Sequence, residues 1–299
     1  MVGALKVGWI GLGAMGAPMA RRAATAGFDV MAYDKDATRL FAVVSSTGPP
    51  SVMHAAGTAG EAVRDADVAA LMVATPEQAE DVLFSPDGVE RSLSPGAFVL
   101  VMATVGPDAI SAWVPRLGQR GLTLVDAPVS GGTARAESGE LLAMVGGAEA
   151  AVGTVTPLLG ALASTTVVVG AEPGDGQRMK LVNQLLCGVH IAVAAEALAL
   201  AEALGLDPRQ CWEVLRHGAA DSFMFEDRGA RMLEENFEPP RSALDIFVKD
   251  MALVRGAARQ AGSPTPLAEA AEQIYLAGQR AGLGRLDDSV VIEVARGAR

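Results

Sequence analysis

The sequence has few of the residues that would signal a disulfide framework, a metal centre or a nucleic-acid surface. Among 299 residues there are two cysteines, Cys187 and Cys211. Both lie in apolar, helix-like contexts and are read as free thiols in a reducing, cytoplasmic compartment. The three histidines, His54, His190 and His217, have no metal-ligand spacing, so no metal site is expected. Positive charge is also scarce: 24 Lys and Arg stand against 35 Asp and Glu, a net charge of −11 with no basic run. Nucleic acid is therefore not an expected partner, and any site for an anion has to be built locally. Residues 1–10 lack the apolar core of a secretory leader. What the chain does have is hydrophobic residues, 50% of the total, enough for one large domain or two ordinary ones.

The first 34 positions contain a strand, a glycine-rich turn, a helix, a second strand and an acid, in that order. Leu5 to Ile10 is a short apolar run that ends in Gly11-Leu12-Gly13-Ala14-Met15-Gly16. A helix-like stretch runs to about Ala26, Gly27 stops it, and Phe28 to Tyr33 leads to Asp34. Each part has a physical task in dinucleotide binding. Gly11 allows the tight turn, Gly13 lets a pyrophosphate approach the backbone, and Gly16 lets helix and strand pack closely. The helix N-terminus faces the phosphates. A carboxylate at Asp34 binds ribose hydroxyls and repels a 2′-phosphate, which favours NAD. Lys35 and Arg39 stand close enough to keep NADP open.

Further strand signals follow at Val68–Val73, Ala97–Val101, Leu122–Val125, Leu141–Val145 and Thr165–Val169, with helix-like segments between them. This alternation predicts an α/β, Rossmann-type, doubly wound and mainly parallel sheet. Ligands of such sheets bind at the carboxyl ends of the strands. Thr75, Thr104 and Ser130 all follow strand ends and are candidates to line the site. Ser130-Gly131-Gly132 precedes a short helix-like segment. Its exposed backbone N–H groups could hold an anion, or the turn could simply require glycine.

Residues 174–204 read as one long helix with Asp175 as its N-cap, about thirty residues without proline. From Leu181 to Ala195 it carries no formal charge. A helix apolar on all sides is expected to be buried, and Asn183, Gln184 and His190 argue against a membrane span. Lys180 lies at the start of this run and shares a face with Asn183, Gln184 and Cys187. Burial and the positive end of the helix both favour the neutral amine, the form that accepts a proton. Local spacing alone leaves open a lysine that merely reaches water. Beyond this helix the pattern is helical throughout, with helices expected at Pro208–His217, Met224–Glu234, Ala243–Ala261, Leu267–Ala281 and Asp288–Arg296. Two domains are expected, 1–171 for the dinucleotide and 172–299 for substrate and oligomerisation. Lys249-Asp250 interrupts an apolar helical run. It is either a surface ion pair or a lysine that reaches a substrate and cofactor cleft.

Four stretches, GLGAMGAPMA (11–20), DAPVSGG (126–132), GDGQRMKLVNQ (174–184) and FVKDMALV (247–254), together resemble the β-hydroxyacid dehydrogenase family, which includes 3-hydroxyisobutyrate and tartronate semialdehyde enzymes. The resemblance covers nearly the whole chain. It implies a Rossmann-type domain joined by a long helix to an all-helical domain; the apolar helical half itself suggests a homodimer or homotetramer. The resemblance implies Lys180 as catalytic acid/base with Asn183 beside it, and Ser130, Gly131 and Gly132 around a substrate carboxylate. Thr104 would lie by the nicotinamide, and Lys249 would close over cofactor and substrate; Thr75, from its place after a strand end, is a further candidate to line the cofactor. The family often has Ser-Thr where this chain has Ala103-Thr104, and Asn-Asn where it has Asn183-Gln184. Segments 190–201, 222–228 and 239–250 look like the L-threonate dehydrogenase branch, whose substrate is a small anionic four-carbon hydroxy acid. An imine reductase has the same layout but usually lacks this lysine. A 6-phosphogluconate dehydrogenase would need a much longer chain, and a non-catalytic dinucleotide-binding domain would have no use for Lys180 with the Ser-Gly-Gly turn.

Overall fold

The computed structural model describes residues 5–48 and 53–297; residues 1–4, on which part of the leader reading rests, lie outside them. The chain divides into two compact units, Met1–Lys180 and Leu181–Arg299.

The first unit runs β1 (Lys6–Ile10), α1 (Gly16–Thr25), β2 (Asp29–Tyr33), α2 (Ala37–Ser45), β3 (Met53–Ala55), α3 (Ala59–Val63), β4 (Val68–Leu71), α4 (Pro76–Phe84), α5 (Val89–Ser92), β5 (Phe98–Val101), α6 (Pro107–Gly118), β6 (Thr123–Asp126), β7 (Val129–Ser130), α7 (Gly132–Ser138), β8 (Leu141–Gly146), α8 (Glu149–Leu162) and β9 (Ala163–Gly170). Strands β3-β2-β1-β4-β5-β6 form a parallel sheet in that order. β8 joins β6 and β7 antiparallel, and β9 runs parallel to β8 at the far edge. Side chains alternate across a strand, and this alternation sorts the central strands into two cores. Val7, Trp9, Val68, Ala70, Leu100 and Val125 belong to one face. Ile10, Ala69, Leu71, Val99, Val101 and Leu124 belong to the other. Both faces are covered, which is why these strands read as unbroken apolar runs.

A long helix, α9 (Asp175–Ala203), leaves the first unit. The second unit holds the rest of α9 with α10 (Pro208–Leu215), α11 (Phe223–Glu234), α12 (Leu244–Gln260), α13 (Pro266–Arg280), a 3-10 turn at Asp288–Val290 and α14 (Val291–Ala295). By length and hydropathy alone α9 could cross a membrane. Here it is a core helix: Ile191, Ala194, Ala195 and Leu198 pack with Phe225, Met232, Leu244, Phe247, Met251 and Tyr275. At Gly188 a Cβ would lie 2.4 Å from Met251 Sδ, and the Tyr275 hydroxyl donates to the Gly188 carbonyl at 2.7 Å. Burial is nevertheless one-sided, which corrects the expectation of a helix buried all round. Val182, Leu186, Val193 and Leu200 are 51–59% exposed, and their spacing of four, seven and seven makes a single apolar stripe. A buried ionic cluster closes the unit. Arg228 grips the fully buried Asp288 with two nitrogens, at 3.0 and 3.1 Å, and Arg231 pairs with Asp227 and Asp287.

The start of α9 has an unexpected cap. The sequence expectation gave this role to Asp175, but Asp175 accepts from the Glu172 N–H and pairs with Arg178, so it serves the preceding turn. The helix itself is capped from a distance by Asp126, at the end of β6. One carboxylate oxygen accepts from the Gly174 N–H at 2.6 Å and the other from the Gln177 N–H at 2.7 Å. Close packing leaves no space for side chains nearby: a Cβ on Gly146 or Gly176 would come within 2.6 or 2.7 Å of that carboxylate. Four orphan N–H groups and a partial positive charge at a helix start suit a carboxylate. Asp126 is completely buried. Burial pushes its carboxyl from 3.8 up to about 6, against the two backbone N–H bonds that favour the charged form, and nearby Asp175 adds to the rise.

A group held above its unfolded value favours folding most at low pH and loses that contribution as pH rises through the folded value. The stability of the wild type over Asp126→Asn is therefore expected to grow by about 1.3 kcal/mol between pH 7 and pH 5. Urea unfolding of both proteins at the two pH values measures this difference, and a difference independent of pH would show that Asp126 does not titrate there.

Candidate active site

At the carboxyl end of β1 the three glycines of the turn have distinct tasks. Gly11 has φ +94°, and a Cβ on it would meet the Met72 carbonyl oxygen at 2.4 Å. A Cβ on Gly16 would lie 2.0 Å from the Gly11 carbonyl oxygen. Gly13 has open space in front of it, with no atom within 4 Å of an added Cβ. Buried Trp9 donates its indole N–H to the Gly11 carbonyl at 3.1 Å, and Gly11 donates its own N–H to Tyr33 O at 2.9 Å, so the turn is fixed before any ligand arrives. The N-cap of α1, Met15, makes no side-chain cap, and the first turn of the helix holds no acid. Asp34 is 8% exposed. It accepts from the Leu12 N–H at 2.7 Å and the Asp36 N–H at 2.9 Å, with Arg39 at 3.4 Å. An open backbone face, an uncapped helix start and a fixed carboxylate at the end of β2 fit a dinucleotide, with the pyrophosphate over Gly11–Gly16 and a ribose at Asp34.

The other expected residues take the following positions. Thr75 caps α4 by accepting from the Gln78 N–H at 3.2 Å. Ser130 ends β7 and is half-buried. Gly131 (φ +141°) and Gly132 (φ +76°) both need glycine backbone geometry, and a Cβ on Gly131 would also press on Arg135 at 2.9 Å. Thr104 is half-buried in the loop after β5. Lys180, in the second turn of α9, is 6% exposed.

Gln177 is the residue that sequence reasoning missed. It is fully buried, and its carboxamide holds the Thr104 loop: Oε1 accepts from the Val105 and Gly106 N–H groups at 3.0 and 3.1 Å, and Nε2 donates to the Ala103 carbonyl at 3.0 Å. The available signal was a polar side chain one turn before Lys180 on the same face.

In the second unit Asn183 and Lys249 are joined by a polar chain. Asn183 donates to Gln184 Oε1 at 2.8 Å, Gln184 donates to Asp250, and Asp250 pairs with Lys249 at 2.9 Å. Asp250 is 1% exposed, so Lys249-Asp250 is not the surface pair that spacing allowed. Both cysteines are free thiols. Among the described residues no three His, Cys, Asp or Glu side chains gather as a metal site would require.

Comparison with known proteins agrees with this layout. Residues 6–170 match the model for the NAD binding domain of 6-phosphogluconate dehydrogenase. Residues 174–295 match the one for the NAD-binding region of NADP-dependent 3-hydroxyisobutyrate dehydrogenase. The L-threonate dehydrogenase of Cupriavidus necator is 41% identical over 97% of this chain and 96% of its own length. The crystal structure of 3-hydroxyisobutyrate dehydrogenase from Salmonella typhimurium superposes with a TM-score of 0.89 at 36% identity, covering 97% of this chain and 99% of that one. A protein called Psf3, solved with NADP+ and 2-OPP, superposes with a TM-score of 0.87 at 26% identity, covering 96% and 99%. With its fixed glycine turn, its capped long helix and its all-helical second unit, the chain belongs to the 3-hydroxyisobutyrate dehydrogenase family of NAD(P)-binding oxidoreductases.

Proposed function

We propose that this protein is an NAD-dependent dehydrogenase of a small hydroxycarboxylic acid of the L-threonate type, with Lys180 as its acid/base. The observation that carries the reading is the burial of Lys180 on the first turns of α9, in the same unit as the glycine turn and the Ser130-Gly131-Gly132 turn. When bound, the nicotinamide supplies the hydride acceptor. The backbone N–H groups of Gly131 and Gly132 and the hydroxyl of Ser130 bind the substrate carboxylate and fix which carbon is presented. Lys180 Nζ, as the neutral amine, takes the hydroxyl proton as the C–H bond breaks. In reverse its ammonium donates that proton to the carbonyl oxygen. Thr104 would lie by the nicotinamide, and burial of Lys180 keeps water from the proton it handles. Asn183 and Lys249, linked through Gln184 and Asp250, take supporting roles rather than proton transfer.

Two supports favour L-threonate. The helical segments 190–201, 222–228 and 239–250 resemble that branch, and the Cupriavidus necator L-threonate dehydrogenase already described is 41% identical. A 3-hydroxyisobutyrate or tartronate semialdehyde type of substrate is the second reading, favoured by the Salmonella superposition. NADH formation with L-threonate, D-threonate, 3-hydroxyisobutyrate, D-glycerate and 3-hydroxypropionate decides between them. L-threonate is expected to give the highest kcat/KM. The preference for NAD follows from Asp34, whose buried carboxylate meets a 2′-phosphate with like charge. The exposed apolar stripe of Val182, Leu186, Val193 and Leu200 is the surface we assign to contact with a second copy of the chain, since such a stripe is unfavourable in water and the same patch can serve both partners of a two-fold dimer. The free thiols Cys187 and Cys211 fit a cytoplasmic enzyme.

Lys180→Ala is expected to lower kcat by about 10²–10⁴-fold and to leave NADH binding intact, read by fluorescence titration beside turnover. A variant that keeps most of its kcat would remove Lys180 from the role. Asp34→Asn is expected to shift the kcat/KM preference toward NADP by about tenfold, equivalent to about 1.4 kcal/mol; an unchanged ratio would place the discrimination elsewhere. Leu186→Glu with Val193→Glu is expected to yield monomers by light scattering, and oligomers of unchanged mass would show that this stripe is not the interface.

A further inference from the structure

The acid/base role of Lys180 does not by itself explain Gln177. An apolar residue of the same volume would fill the site, and a carboxamide is costly to bury unless its hydrogen bonds are replaced. Here they are replaced with unusual specificity. The side chain accepts from Val105 and Gly106 and donates to Ala103, so its three bonds bracket Thr104 on both sides. Its main-chain N–H is held by the buried Asp126 carboxylate. Lys180 follows three residues later on the same helix face. One residue therefore ties together the end of β6, the loop after β5 and the turn of α9 that carries the lysine. All of these parts lie in the first unit.

We propose that Gln177 is a positioning residue for hydride and proton transfer, holding the Thr104 loop and the Lys180 turn as one rigid piece. The proposal rests on Lys180 being the acid/base. It deepens that reading by naming what keeps the amine in register with the ring beside Thr104. The two transfers require their partners to be placed together, and a misplacement of about 1 Å can cost about 10²-fold in rate. Binding of the nucleotide depends on other residues, Gly11–Gly16 and Asp34. Loss of Gln177 therefore separates rate from cofactor affinity.

Two full-length variants test this. Gln177→Met keeps the volume and removes all three bonds. Gln177→Glu keeps the size but places a second oxygen against the Ala103 carbonyl, and this repulsion forces the carboxylate off the loop, so that its bonds to Val105 and Gly106 are lost as well. Three quantities are read for each: amide hydrogen exchange of residues 103–106 in the cofactor-free protein, NADH affinity by fluorescence, and kcat per folded molecule. The expected result for Gln177→Met is exchange at Val105 and Gly106 faster by about tenfold or more and kcat lower by about 30- to 100-fold, with NADH affinity within about threefold of wild type. Gln177→Glu is expected to show the same pattern, and it carries the test alone should Gln177→Met fail to fold. Unchanged exchange, or a lowered melting point with unchanged kcat per folded molecule, overturns the proposal. Lys180→Ala is run in parallel. If it retains turnover while the exchange of residues 103–106 still responds to Gln177→Met, the acid/base reading has failed and the loop assignment has not.

Discussion

A carboxylate buried beneath the first turn of the long helix is the interaction on which the rest of the site depends. A helix start leaves N–H groups with no partner inside the helix, and leaving them unpaired in a protein interior is costly. Asp126 supplies the acceptor from the neighbouring sheet, bonding Gly174 and Gln177. The requirement extends outward from there. Gly146 and Gly176 must lack side chains for the carboxylate to fit, and Gly174 must adopt a positive φ of +104° for the chain to enter the helix at that angle. Once the first turn is fixed, so are Gln177, the loop it holds, and Lys180. The geometry of Lys180, the proposed acid/base, is thus inherited from a strand end 54 positions earlier in the chain, the separation between Asp126 and Lys180.

The cofactor end follows the same logic of prior organisation. Trp9, Tyr33 and Asp34 fix the glycine turn through hydrogen bonds to its backbone. Two of its glycines are required by the fold, and the third leaves an open backbone face. Gly11 and Gly16 are needed because carbonyl oxygens crowd the positions a Cβ would take. No described atom lies within 4 Å of a Cβ on Gly13, so its backbone face is open, as the close approach of a pyrophosphate requires.

Much of this was legible in the sequence, because the signals were local. The strand, turn, helix, strand and acid of the first 34 residues, the later strands and the run of helices from Pro208 onward follow from periodicity and glycine punctuation, which act over a few residues. Two strands escaped: Met53–Ala55 and Val129–Ser130 are three and two residues long, too short to show alternation. The cap of α9 escaped because its partner lies 48 residues away from Gly174, and local spacing pointed instead to Asp175. Gln177 escaped for the same reason, since the backbone groups it holds are 71–74 residues distant. The uniformly apolar composition of α9 concealed its exposed stripe, because composition records how many apolar residues there are and not what covers them.

The division between the two units falls inside α9, between Lys180 and Leu181, and not in a linker. A protease therefore finds no extended segment at that point, because cleavage needs several residues of unwound backbone and each belongs to a continuous hydrogen-bonded helix. Expressing either half alone would meet a similar obstacle. Ending the chain at the division would leave the first unit with a stub of helix lacking the body that continues it, and the second would begin with bare N–H groups and no Asp126. The protein is thus divisible by its packing and indivisible by its chain. An insertion or a circular permutation would be better placed in the surface turns after Gly205 or Gly262, where the backbone already leaves a helix with a positive φ.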